Sequence, residues 1–314
     1  MRELELLAHI YRGNARLPES VIVPPGDDMG GIRFAGETLL VTVDPIADGI
    51  HFDLEQVSLE QIGRKAINRN LSDVAAMAAK PVGAVVSACL PKGFSEEKAR
   101  QLFDSLRETA ERYACPLIGG DILAWDQRLV LTVTVFAEPG GIDPVLRRGA
   151  QVGDAVYVTG ALGGSGERLN DSGYVHHLDF EPRIEPARQL AGHQDTRPTA
   201  MIDVSDGLAL DLGRICRASG VSAEVECLKL PASDGAMQAA RRSGRPVWHH
   251  ALGDGEDYEL CFTAPPGGMP DEIAGVPITC IGRIIPAEHQ PLVTAIGPDG
   301  VRFDVTQLGW EHHG

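Results

Sequence analysis

No apolar run in the 314-residue chain approaches the ~18 residues of a membrane-spanning helix, so no transmembrane segment is expected. The opening segment, Met1-Arg2-Glu3-Leu4-Glu5-Leu6-Leu7, carries acids inside any would-be apolar core, which argues against a secretory leader. Cysteine is sparse. Cys89, Cys115, Cys216, Cys227, Cys261 and Cys280 show no C-x-x-C spacing, and several lie in apolar runs such as Leu260-Cys261-Phe262. They read as reduced core thiols, which excludes a disulfide scaffold and places the chain in the cytoplasm. The pairs His176-His177, His249-His250 and His312-His313 lack ligand spacing to one another, which argues against zinc.

Positive charge is also short. With 28 Lys+Arg against 44 Asp+Glu, the formal charge of −16 makes nucleic acid and anionic membrane poor partners. An acidic protein can still bind anions if metal ions intervene. The sequence contains neither G-x-x-x-x-G-K-[ST] nor the H-R-D and D-F-G pair, so a phosphoryl-transfer enzyme here belongs to a fold other than the P-loop or protein-kinase folds.

What is present is ordinary globular composition, 43% hydrophobic and 23% charged, with 36 Gly and 21 Pro to make tight turns. The length suits two domains, and no internal repeat or low-complexity segment interrupts them. β-Branched runs at Leu39–Val43 and Leu129–Phe136 predict strands. Ser58-Leu59-Glu60-Gln61 reads as a capping box opening a helix to about Met77, and Ser95 caps a second helix. Turn residues at Glu138-Pro139-Gly140-Gly141 mark a boundary, giving domains 1–140 and 141–314. Beyond it, Asp154–Gly160 predicts a strand, 170–199 gives no clear element, and Met201–Val204 leads into a helix closed by Gly220.

The informative feature is where the aspartates fall. Gly26-Asp27-Asp28, Val43-Asp44, Leu71-Ser72-Asp73, Gly119-Gly120-Asp121, Asp203-Val204-Ser205-Asp206-Gly207 and Gly255-Glu256-Asp257 follow apolar elements or sit in glycine turns. Carboxylates gathered at element ends are hard oxygen ligands suited to Mg²⁺, which also takes substrate phosphates. Taken singly, each motif also reads as ordinary structure: Gly26-Asp27-Asp28 and Gly119-Gly120-Asp121 as turns, Ser205-Asp206-Gly207 as an N-cap, and His51 as a packed loop histidine.

In order and at this spacing, the motifs Gly26-Asp27-Asp28, Val43-Asp44, Gly49-Ile50-His51-Phe52, Asn70-Leu71-Ser72-Asp73, Gly119-Gly120-Asp121, Asp203-Val204-Ser205-Asp206-Gly207 and Gly255-Glu256-Asp257-Tyr258-Glu259-Leu260 resemble the thiamine-monophosphate kinase family, within the aminoimidazole ribonucleotide synthetase superfamily. The resemblance spans nearly the whole chain. It implies an α+β fold of two domains, an N-terminal α+β domain that dimerises through its sheet and a C-terminal α/β domain. It also implies ATP-dependent phosphorylation of thiamine monophosphate to thiamine diphosphate by direct transfer, in a homodimer.

Carried over by position, Asp28, Thr42, Asp44, Asp73, Asp121, Asp203 and Asp206 would hold Mg²⁺, with Asp73 and Asp121 the catalytic pair. Asp104, Gly120, Asp121, Arg147 and Ser205 would face ATP, and His51, Glu256 and Trp310 the thiamine end. The sequence departs from the family pattern at Val43, Pro45, Ala78, Ile122 and the terminal Gly309-Trp310-Glu311-His312-His313-Gly314. These departures leave open another small phosphate or carboxylate acceptor, or a nucleotide-binding homologue without catalysis.

Overall fold

The computed structural model describes residues 7–8, 10–12, 14–166, 175–287 and 292–310; His312 and His313 lie outside them. Two sheets organise the chain. The first holds β1 (Val21–Val23), β2 (Gly30–Phe34), β3 (Glu37–Ala47), β4 (Lys80–Pro91), β5 (Leu117–Trp125) and β6 (Val130–Glu138), in the order β1-β2-β3-β6-β4-β5. All neighbours are antiparallel except β4 and β5.

Strand alternation gives this sheet two different faces. Leu40, Leu131, Val133 and Val135 are buried on one face, which is covered by α1 (Leu59–Ala76) and α2 (Glu96–Arg112). Val43, on the other face, is 54% exposed, and the edge strand β5 is exposed along most of its length. The capping box forms: the Gln61 N–H donates to the Ser58 hydroxyl, and the Gln61 side-chain oxygen accepts from the Ser58 N–H. The Ser95 hydroxyl caps α2 through the Lys98 N–H at 3.2 Å.

The second sheet is built from β7 (Ala155–Thr159), β8 (Ala200–Asp203), β9 (Val221–Glu226), β10 (Leu260–Ala264), β11 (Glu272–Ile273), β12 (Val276–Pro286), β13 (Val293–Ile296) and β14 (Arg302–Asp304). Its main path runs β14-β13-β9-β12-β7-β10-β8, with β11 paired to β12. The described helices of this half are α3 (His176–Asp179), α4 (Ile184–Gly192), α5 (Leu208–Ser219), α6 (Asp234–Ser243) and α7 (Val247–Gly253). Gly220 closes α5 in the left-handed conformation at φ 68°.

The stretch that shows no clear element in sequence thus contains α3 and α4. Neither has a side-chain cap. Their order comes from packing: Ala187, Leu190 and Ala191 of α4 are buried with Ala75 and Ala76 of α1 and with Leu260 and Phe262 of β10. This core joins the two sheets and positions the end of α1 against the end of β8.

Candidate active site

Residues 42 and 44 point to the same side of β3, toward α1. The Thr42 hydroxyl donates to the Asp73 carboxylate, and the Asp44 N–H donates to Asn70 Oδ1 at 3.1 Å. Asn70 and Asp73 stand one helical turn apart on α1, so both can meet β3. The next contact crosses to the second sheet, where the Ser72 hydroxyl donates to Asp203 at the end of β8, 2.7 Å away. Asp28 arrives from the Gly26-Asp27-Asp28 turn and is held by Arg147 through Nε at 3.2 Å and Nη2 at 2.7 Å. One carboxylate oxygen each from Asp28, Asp73 and Asp203 then lies within 4.8 Å of the others.

Such a cluster is costly for the protein alone, because ionised carboxylates at this range repel and burial removes the water that would screen them. Burial, reinforced by Asp44, Asp203 and Asp28, pushes the Asp73 pKa well above the ordinary carboxylate value. Burial and Asp28 do the same to Asp203. This hard-oxygen set, with Thr42 and Asp44 beside it, fits a magnesium ion, which would relieve the repulsion.

Beside the cluster opens a cavity of about 840 Å³, lined in part by His51, Arg69, Ser205, Asp206, Glu256 and Trp310. Arg69 reaches Asp44 at 3.4 Å through Nη2, while its buried Nε and Nη1 have no partner among the described residues. Two motifs far apart in sequence make the wall. The N–H groups of Glu256 and Tyr258 donate to the carbonyls of Ser205 and Val204 at 2.7 and 2.8 Å. Glu256 and Tyr258 are both left-handed at φ 52°, a strained conformation for residues with side chains that aims Glu256 into the cavity. Gly255 is required here: a Cβ would come within 2.8 Å of the Ser205 carbonyl, and φ is 70°.

The Ser205-Asp206 turn is itself anchored by buried Asp211, whose Oδ2 accepts both backbone N–H groups at 3.0 Å. Arg214 pairs with both Asp206 and Asp211. Burial raises the Asp211 pKa to about 7, against the pull of Arg214. Trp310 is 60% exposed at the cavity, and its backbone N–H donates to the Asp206 carbonyl at 2.8 Å.

Within one chain, three of the expected site residues, Asp104, Gly120 and Asp121, stand apart. Asp104 is exposed on α2, paired with Arg107, and lines a different cleft with Glu60, Arg64 and Glu108. The helix buries Leu102, Ser105, Leu106, Thr109 and Ala110, and this turns Asp104 outward. Asp121 is exposed on β5, opposite Ser87 of β4. Strands β6 and β4 separate it from β3. Beside it, Gly120 needs no ligand to explain it, since a Cβ there would fall 2.0 Å from the Val86 carbonyl.

Lys65, Arg69, His177 and Asp211 contribute to the site without being expected from sequence. Lys65 left a signal, a charge between Ile62 and Ala66 on the buried side of the helix.

Comparison with known proteins gives this geometry its family. The profile for AIR synthase related protein, N-terminal domain, matches residues 26–138, and that for the C-terminal domain matches residues 151–269. Thiamine-monophosphate kinase of Rhodopirellula baltica is 39% identical over 298 residues, covering 90% of this chain and 89% of the relative. The chain belongs to the thiamine-monophosphate kinase family. Thiamine-monophosphate kinase of Haemophilus influenzae is 35% identical over 304 residues, covering 90% and 89%. Among solved structures, AaThiL complexed with AMPPCP and TMP superposes with a TM-score of 0.83 at 28% identity, covering 99% of this chain and 97% of that one. The two-sheet architecture is therefore that of the thiamine-monophosphate kinases. Among the described residues, no helix is long and apolar enough to cross a membrane.

Proposed function

We propose that the chain transfers the γ-phosphoryl group of ATP directly to thiamine monophosphate, yielding thiamine diphosphate and ADP. The observation that carries this reading is the convergence of Asp28, Asp73 and Asp203 beside a cavity lined by His51, Glu256 and Trp310. Two phosphate-bearing substrates brought together repel strongly; a pair of unit charges ~4 Å apart costs ~4 kcal/mol at an effective dielectric of ~20. Bound Mg²⁺ would supply the neutralising charge. The residues that would hold it are Asp28, Thr42, Asp44, Asp73 and Asp203, with Asp206 at the cavity wall.

The chain's own residues then bind and orient. Arg147 and Ser205 face the nucleotide side, and His51, Glu256 and Trp310 the thiamine side. Positioning and charge neutralisation suffice for phosphoryl transfer, so no covalent phosphoenzyme is needed. Ser72 supports this, because its hydroxyl is buried and committed to Asp203.

The exposed face of the first sheet and the edge strand β5 form the contact of a cytoplasmic homodimer. That contact covers Val43 and Leu123 and places Asp121 at the interface. Incubation with ATP, MgCl₂ and a panel of small phosphate and carboxylate acceptors tests the assignment. Thiamine monophosphate should be the acceptor consumed, with ADP and thiamine diphosphate formed one to one. Turnover of a different acceptor in its place would overturn the reading, and so would nucleotide binding without turnover of any acceptor.

A further inference from the structure

Lys65 is fully buried in α1; burial lowers its pKa, while the Glu256 carboxylate against it favours the charged ammonium. An ammonium has three N–H donors and no acceptor, so burial is tolerable only if its donors are used. Here all three meet acceptors from different parts of the chain. Nζ lies 3.0 Å from the His51 carbonyl, 2.9 Å from His177 Nδ1 and 2.7 Å from Glu256 Oε1. His177 and Glu256 line the same cavity, and His177 Nδ1 also stands 3.3 Å from Glu256 Oε2. The Tyr258 hydroxyl adds a hydrogen bond to Glu256 Oε1 at 3.3 Å.

This arrangement decides which ring nitrogen of His177 carries the proton. Because the Lys65 ammonium can only donate, Nδ1 must accept, and the proton of a neutral ring then resides on Nε2. The neutral form is favoured: burial, with the Lys65 charge added, lowers the His177 pKa to about 4. Protonating Nδ1 instead would set an N–H against an N–H at 2.9 Å. The carboxylate of Glu256 stays charged, since the charge and hydrogen bond of Lys65, with Arg69 nearby, outweigh the burial that opposes its ionisation. The cavity is therefore lined by a fixed acceptor, Glu256, and by the His177 ring, whose donor is Nε2–H, which has no partner among the described residues. A 4-aminopyrimidine edge is the complement of that pair, offering an amino donor next to a ring-nitrogen acceptor.

We propose that Lys65 is the positioning residue of acceptor specificity: it holds His177 as the Nε2–H tautomer, which donates to the ring nitrogen next to the amino group of the acceptor's pyrimidine while Glu256 accepts from that amino group. The proposal rests on thiamine monophosphate as the acceptor.

The test combines a spectroscopic arm with a kinetic one. In protein labelled with ¹⁵N-histidine, NMR of the holoenzyme should show the His177 ring with a protonated Nε2 and a bare Nδ1. Lys65→Met should abolish that signature; if this variant does not fold, the wild-type spectrum and the His177 variants still decide. His177→Leu should raise the KM for thiamine monophosphate about three- to tenfold, the scale of one neutral hydrogen bond. It should leave kcat and the KM for ATP within about twofold, and His177→Gln, which keeps an N–H donor, should recover most of the loss. An acceptor analogue with CH in place of that ring nitrogen should lose the same factor on wild type and nothing further on His177→Leu.

An Nδ1–H ring in the wild type would overturn the proposal. So would equal discrimination against the analogue by wild type and His177→Leu. If wild type turned over no thiamine monophosphate at all, the proposed function would fall and this inference with it. Normal wild-type turnover with an unaffected His177→Leu would sink this inference alone.

Discussion

Ser72 of α1 donates its hydroxyl to Asp203 at the end of β8 across 2.7 Å, tying the helix of the first sheet to a strand of the second. Its chain neighbour Asp73 is thereby carried to within reach of Asp203 and Asp28. The two halves of the molecule meet at a point where the protein gives up stability, since three carboxylates share a pocket in which Arg147 pairs directly with Asp28. Such local conflicts mark functional sites rather than structural ones.

Replacing Asp73 by Asn should therefore separate stability from activity. Turnover should fall by at least about a hundredfold, the scale of removing one charge-stabilising group from a phosphoryl-transfer site. The metal-free protein should melt at the same temperature or higher, because a buried, repelled carboxylate is gone. Paired calorimetry and steady-state assays check this. A variant that melts early yet turns over normally would mean that Asp73 only braces its helix.

The same cluster sets a pH dependence. Both Asp73 and Asp203 have folded-state pKa values raised above the unfolded value of about 4. The fold thus prefers their neutral forms, and metal-free stability should decline as pH climbs from about 4 through the raised range. Mg²⁺ binds the ionised forms, so its stabilisation should grow over the same interval. At saturation near 100 times Kd it reaches about 2.7 kcal/mol. Melting curves at pH 5 and pH 8, with and without MgCl₂, measure this, and a larger Mg²⁺ effect at pH 5 would contradict it.

Asp211→Ala should loosen the Ser205-Asp206 turn. Two backbone N–H groups lose their acceptor and Arg214 loses one of its two partners, so stability should drop by roughly 1–3 kcal/mol. Because Ser205 and Asp206 line the cavity, substrate KM values should rise as well. Asp211→Asn, which keeps one acceptor oxygen, should be milder on both counts. Urea titration and KM measurements compare the two.

Leu123→Glu tests the assembly. Leu123 is 54% exposed on β5, beside exposed Ile122. A charge there should shift sedimentation at micromolar concentration from dimer toward monomer. A wild type that sediments as a monomer would remove the dimer from the account.

The local signals were strongest where a side chain completes its own backbone. The Ser58–Gln61 box and the Gly220 cap stand in sequence as plainly as in the structure. The α3 and α4 helices were illegible because neither is capped and both are ordered by the core around Ala187 and Leu190. Carboxylates beside glycine announced a phosphate site, but their grouping depends on strand order. The sequence Gly119-Gly120-Asp121 cannot tell that β5 pairs outside β4, with two strands between it and β3.

The departures from the family pattern also gain a location. Val43 and Pro45 point to the face away from the carboxylates, while Thr42 supplies the hydroxyl on the Asp73 side. Ala78 holds φ 54°, a conformation that glycine enters freely. Lys65 and His177 become partners only when α1 packs against the segment that carries α3.

The most direct test follows the γ-phosphoryl group itself. Wild type and Asp73→Asn would be mixed with γ-³²P-labelled ATP, Mg²⁺ and thiamine monophosphate, then quenched at times spanning the first turnover. The label should move from ATP to thiamine diphosphate with none retained on wild-type protein, and it should stay in ATP with Asp73→Asn. Label on Ser72, Ser205 or any other residue ahead of product would contradict direct transfer. Unlabelled thiamine monophosphate with intact ATP in the wild-type reaction would contradict the function.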